Sequence, residues 1–451
     1  MPRRMSFVRT MPFISESRSW REDPDRRLPE VVSLERHIER AREAEAAGLD
    51  ALFYVDFIGL DRTALARNPQ PPFEPLTILA AIAAHTTRIG LVGTASTLFT
   101  YPYGLARQFA SLEQISRGRA GWNAVTGFSA AEAFGIAQLP APEQRYRHAQ
   151  EAVDAVTQLW ESWSEDAVIA DAGRGVYADV DRIRDVAFAG DHVRVRGGLD
   201  IPRSPQGRPV LFQAGASTDG IAFAGRNAEA VFAATPNLGL AIEYSQQLAG
   251  AARASGRERD DIRVLPGLHL YVRESVQEAW RAARAAAVTP HRIDSILADL
   301  DVELPGLALR GLDPDRPIPA DVFPSPAQIE GLGARRSRIA TYRRLAYDGR
   351  PTYREFLERS AIAGPHAAMI GTPQTVADEM EQWLDARAAD GFTLLGGDDI
   401  AHLDRTLLPE LRRRGLFRVG YEGTTLREHL RLAAAMRQRS PVGDTGVTKG
   451  R

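Results

Sequence analysis

The chain contains no cysteine. That excludes disulfides, thiolate nucleophiles, iron–sulfur clusters and cysteine-based zinc sites together. No apolar run reaches the roughly 18 residues needed to cross a bilayer. The basic start MPRRM runs into SESRSWREDPDRR without the apolar stretch and cleavage site of a signal peptide. A soluble, cytoplasmic protein is therefore expected. No sign of charge dominates either: 56 Lys and Arg stand against 58 Asp and Glu, a net charge of −2, which gives no reason to expect nucleic acid or a membrane surface as partner. The nine histidines show no HxH or HExxH spacing, so no metal site is expected. The GxSxG elbow of acyl hydrolases and the GxxxxGK[ST] loop of nucleotide hydrolases are also missing.

What is present is ordinary globular material: 451 residues, 44% hydrophobic and 25% charged. Short apolar runs alternate with amphipathic helical patterns. The strand candidates are 6–13, 51–56, 88–94, 119–125, 209–215, 229–235, 263–272 and 391–396. Helical patterns separate them, beginning with 33–48, where Ser33 can cap and Gly48 can terminate. Two stretches look inserted. One, at about 164–208, carries a Gly-Asp hairpin signal in DVAFAGDHVRVRGG; the other, at about 288–366, reads as Pro-rich and then helical. Eight strands with intervening helices must run parallel, and eight such units predict an α/β fold, the (β/α)8 TIM barrel. The alternative is an open doubly wound sheet, which the lack of a glycine-rich nucleotide turn after the first strand disfavours. One domain is expected over 1–436, with a disordered tail at 437–451.

In such a barrel the site lies at the C-terminal ends of the strands. Polar residues at those ends are Asp56, Thr94, Ser96, Thr97, Asn123, Thr126, Gln213 and His269. The segment QAGASTDG (213–220) is the sharpest feature, a small-residue turn opening a helix directly after a strand. Its free amides and the Ser217 hydroxyl suit a phosphate, though Ser217 also serves simply as an N-cap. Asp56 reads equally as a cap, Asn123 as a partner for buried backbone, and His269 as a core histidine. Phosphate sites in barrels more often follow strands seven and eight, so this position is unusual.

Long stretches of the chain resemble one known group. They include FEPLTILAAIAAHTTRIGLVGTAST (73–97), GRAGWNAVT (118–126), RSPQGRPVLFQAG (203–215), IGTPQTVADEME (370–381) and LLPELRRRGLFRVGYEGTTLREHL (407–430). They are similar to the bacterial-luciferase-like flavin monooxygenases related to nitrilotriacetate monooxygenase component A, pristinamycin synthase and dibenzothiophene-sulfone monooxygenase. The resemblance implies a TIM barrel and a small organic substrate oxidised with reduced FMN and O₂. It also implies a separate NAD(P)H:flavin reductase as transient partner and a homodimer or homotetramer. By the same resemblance Asp56 lies near the flavin ring, Thr97 packs against the isoalloxazine, Asn123 borders the ring or ribityl chain, Tyr146 contacts the phosphate side, and Ala216 and Ser217 hold the phosphate.

The chain departs from the pattern at two site positions, and its N-terminal segment SFVRTMPFISESRSW (6–20) matches only loosely. Pro142 stands where the family places a histidine four residues before the tyrosine, and Ala216 replaces the first serine of a Gly-Ser-Ser. No catalytic acid or base is assigned; His269 and Tyr101 are the first residues to mutate. The 288–366 insertion is read as a lid, and its arginines 335, 336, 338, 343 and 344 as either a solvated face or a site for an anionic substrate. The rival functions are a deazaflavin-dependent hydride-transferring oxidoreductase of the same fold and a non-catalytic flavin-binding protein.

Overall fold

The computed structural model describes residues 3–11 and 33–435, apart from positions 57, 61, 67, 68, 71, 128, 129, 216, 305 and 331–335. In chain order the strands are β1 (Ser6–Met11), β2 (Ala51–Tyr54), β3 (Gly90–Ser96), β4 (Ala120–Val125), β5 (Val168–Asp171), β6 (Val176–Ala178), β7 (Val186–Ala189), β8 (Arg194–Gly197), β9 (Val210–Ala214), β10 (Ala230–Ala233), β11 (Arg263–Val272), β12 (Ala367–Gly371) and β13 (Gly391–Gly397). The order β10-β9-β4-β3-β2-β1-β13-β11 closes on itself through β10–β11 pairing, and all these pairs are parallel. All eight expected strands are therefore present in a closed (β/α)8 barrel.

Capping sets the helices where the sequence marks them. Ser33 accepts from the Arg36 amide at the start of Leu34–Ala46, and Gly48 leaves that helix at φ +80°. Thr372 and Thr375 form a reciprocal cap at the start of Pro373–Asp385. Inside the barrel, Val8, Ala51, Phe53, Val92, Val210, Phe212, Ala230 and Leu265 pack together with Leu426 and Leu430, which close the N-terminal end. No helix among the described residues is long and apolar enough to cross a membrane.

Three features differ from the sequence reading. A ninth parallel strand, β12, runs beside β11: residues 263–266 of β11 pair with β10, and residues 268–272 pair with β12. Thus β12 takes over the edge of β11 where β10 ends. Its run Ala-Ala-Met-Ile-Gly has neither alternation nor β-branched enrichment to announce it. The second insertion opens with a helix, Pro290–Glu303, rather than with Pro-rich coil; Thr289 caps it and Pro290 occupies its first position, where proline's missing N–H costs nothing. The first insertion holds two hairpins. The predicted one is β7–β8, while β5–β6 has no Gly-Asp turn to signal it.

The insertion helices build a core of their own, including Leu300, Leu309, Ile339, Tyr342 and Phe356. The residues after 435 lie outside the described residues.

Candidate active site at the barrel mouth

Halfway up the barrel three rings block the axis. Phe53 lies 6.0 Å from Phe212 and 6.1 Å from Phe232, centroid to centroid. Below them the lumen is aliphatic; above them, by the two-residue period of the strands, polar side chains follow. Asn123 stands opposite Thr94 in the β3–β4 register and donates from Nδ2 to the Thr94 hydroxyl at 3.0 Å. Its Oδ1 is sealed from solvent without a partner, and so is Gln213 Oε1. A buried acceptor left open is costly unless something meets it, so these oxygens mark places for a donor.

Two residues beyond β2, Asp56 is half-buried. Burial first, and then the charge of Glu74, push its carboxyl up to about 6. Glu74 is fixed there because it caps Pro75–Ala83, accepting from the Leu76 and Thr77 amides. Thr97 is fully buried, and its hydroxyl donates to the Val125 carbonyl at 3.1 Å, tying the ends of β3 and β4 together under the mouth.

At the end of β9 the chain turns into the helix Thr218–Asn227. Ser217 is its N-cap, accepting from the Gly220 amide at 3.1 Å. That bond uses the Ser217 oxygen as acceptor and leaves its O–H to donate outward. The first-turn amides of any helix lack intrahelical acceptors and carry the positive end of the helix dipole. Tyr146, on the helix Pro142–Trp160, brings its hydroxyl over this turn: a Cβ built on Gly220 would sit 2.9 Å from it, and one on Gly215 would sit 3.6 Å from it. Tyr244, its phenol pushed up by burial, donates to the Gly215 carbonyl at 3.2 Å and fixes the turn from behind. Ala216 lies outside the described residues. Pro142 occupies the first position of the helix that carries Tyr146, so the departure from the family pattern sits where it starts that helix.

The usual phosphate position of barrels is occupied by carboxylates in this chain. After β13 come Asp398 and Asp399; Asp398 accepts from the Val272 amide and Arg273, and Asp399 caps Ile400–Arg413. Two carboxylates at that helix start disfavour an anion.

Other sequence candidates fall elsewhere. Tyr101 is 89% exposed on the rim. His269 lies partly buried on β11, close enough for its charge to act on His366. The arginine group of the second insertion divides: Arg344 pairs with Glu243, Arg343 lies over the Tyr347 ring, and Arg338 lies over the Tyr342 ring. Arg335 and the Arg336 side chain are outside the described residues. His366, just before β12, was invisible to sequence reasoning because the strand that positions it was invisible too.

A closed parallel barrel with convergent polar groups at its C-terminal mouth defines the class, a TIM-barrel enzyme. The comparisons specify it further. The luciferase-like monooxygenase family matches residues 16–390, and the chain belongs to that family. It is 36% identical to N-acetyl-S-(2-succino)cysteine monooxygenase of Bacillus subtilis, over 92% of this chain and 93% of that protein. It is 37% identical to nitrilotriacetate monooxygenase component A of Aminobacter aminovorans, over 89% and 91%. Among solved structures, a riboflavin lyase with modified FMN and riboflavin superimposes with a TM-score of 0.79 at 29% identity, covering 95% of both chains. The protein is a monooxygenase by this membership.

Proposed function

We propose that the protein is the oxygenase component of a two-component system, using reduced FMN and O₂ to oxygenate a small organic molecule. The observation that carries this reading is the Tyr146 hydroxyl poised over the first turn of Thr218–Asn227, beside two glycines whose missing side chains let it approach. A phosphate fits there: the Ser217 O–H and the Tyr146 O–H are donors beside the positive end of the helix dipole. The open acceptors Asn123 Oδ1 and Gln213 Oε1 suit N–H and O–H groups of a ring and its polyol chain.

Reduced flavin, when bound, supplies the electrons that activate O₂. The chain's own residues do the rest. The Phe53, Phe212 and Phe232 rings close the lumen below and keep water out. Thr97 braces the wall, Asn123 orients the ring edge, and Asp56 holds or releases a proton near neutral pH beside it.

A separate NAD(P)H:flavin reductase supplies the cofactor; the relative named component A supports that division, and among the described residues no glycine-rich nicotinamide-binding turn follows a strand. A cytoplasmic location fits this supply. Residues 1–436 act as one domain and 437–451 as a tail. A homodimer or homotetramer is supported by β5–β6, a lone two-stranded hairpin exposing Val168, Ile169, Val176 and Tyr177, which needs a partner surface to be stable.

The test is reconstitution with a flavin reductase, NADH, FMN and ¹⁸O₂. N-acetyl-S-(2-succino)cysteine and nitrilotriacetate are the first candidate substrates. Label in the product supports the proposal. Hydride transfer to a deazaflavin without oxygen uptake, or flavin binding without turnover, contradicts it.

A further inference from the structure

We infer that His366 is an active-site residue that meets the bound flavin ring through its Nε2–H; the inference rests on the flavin reading above. His366 stands at the fork in the barrel wall where β12 replaces β10 alongside β11. Its ring stacks on Phe232 at 5.4 Å and 30°, extending the aromatic layer that floors the mouth. The strand opposite is cut away to admit it. A Cβ on Gly267 would lie 2.5 Å from His366 Nδ1, 2.7 Å from Leu395 Cδ1 and 2.9 Å from Phe232 Cε2. Glycine inside a strand marks such a close approach, and here the space it yields holds an imidazole.

The residue is deeply set yet keeps some accessible surface, the combination expected of a group lining a cavity. Nδ1 is sealed and unpartnered, whereas Nε2 is neither sealed nor hydrogen-bonded among the described residues, so the Nε2 edge is the one left to a ligand. Burial, then the nearby His269 of β11 and Arg338 of the helix Arg336–Tyr347, push the imidazole down to about 3, so it is neutral. A neutral imidazole carries one proton. A sealed lone pair is less costly than a sealed N–H, which places the proton on Nε2. The mouth thus gains a fixed donor on the β10–β11 side, across the barrel from Thr94 and Asn123.

The experiment uses the full-length protein with ¹⁵N-labelled histidine and long-range ¹H–¹⁵N correlation spectra, with His366 assigned by loss of its signals in His366→Phe. FMN is the probe, and flavin fluorescence reports its binding independently. The expected result is an Nε2–H tautomer that does not titrate between about pH 5.5 and 8, with an Nε2 signal that moves when FMN is added. His366→Phe weakens FMN binding by roughly fivefold, the size of one hydrogen bond, and His366→Gln, which restores an N–H, recovers most of it. If FMN binds while the His366 signals stay still, or if His366 titrates in that range, the inference is overturned and the flavin reading stands. If fluorescence shows no FMN binding at all, both fall.

Discussion

The two ends of the barrel are built on opposite principles. At the closed N-terminal end, buried acids are met by donors from several directions. Glu229 faces Arg208 and Arg427 and also accepts from the Leu211 amide. Burial alone would raise its carboxyl, but the two guanidiniums outweigh it and hold it down at about 2. Glu113 accepts from the Ala120 amide, Gln206 Nε2 and the Ser204 hydroxyl. Asp50 accepts from the Phe7 amide and Arg418. At the open end, Asn123 Oδ1 and Gln213 Oε1 are sealed without partners; burial lifts Asp56 to about 6 there, as it lifts Glu113 to about 7 at the closed end despite its donors. The closed end meets its buried carboxylates with its own donors, and the mouth leaves carbonyl acceptors open. Barrels separate stability from function along their axis in this way.

The strongest way to break the contrast is at the closed end. Glu229→Leu takes from Arg427 its paired carboxylate and leaves Arg208 only Glu161, at 3.8 Å, and should lower unfolding free energy by about 3–5 kcal/mol. Denaturant titration measures the loss, and flavin affinity of the molecules that remain folded should not change. Next in size is the cradle. Tyr146→Phe removes one donor to a charged group and should weaken FMN binding by about tenfold or more, read by flavin fluorescence, with little change in stability.

A smaller effect sharpens the mouth side. The folded Asp56 carboxyl lies at about 6, above its ordinary 3.8. Such a group favours the fold while protonated. That contribution is lost as pH rises from about 3.8 through about 6. Asp56→Asn should therefore raise the melting temperature of the flavin-free protein above pH 6 and leave it unchanged near pH 4. The smallest effect is expected at the rim: Tyr101→Ala, at a side chain 89% exposed, should alter neither stability nor FMN affinity measurably.

The same contrast explains what was legible in the sequence. Each of the eight barrel strands carries its own apolar run, and Ser33, Ser217 and Thr372 announce their helices by local chemistry. The turn at 215–217 was legible because strand, small residues and cap are consecutive. By contrast, β12 is five residues of weak strand preference, placed by pairing with β11, and His366 is meaningful only beside Gly267 and Phe232, about 100 and 130 residues away in the chain. Of the stretches that carry the family resemblance most strongly, RSPQGRPVLFQAG and RGLFRVGYEGTTLREHL supply Gln206, Arg208 and Arg427 of the closed end, while GRAGWNAVT carries Asn123 to the mouth.

In the proposed function, the helix start at Ser217, with Tyr146 above it, grips a flavin phosphate. The direct measurement compares FMN with riboflavin, which differs only by that phosphate, in the natural protein and in a Ser217→Ala, Tyr146→Phe double variant. FMN should bind at least about tenfold more tightly than riboflavin to the natural protein, and the double variant should lose most of that preference. Equal binding of the two flavins, or a preference that survives both substitutions, would contradict the account.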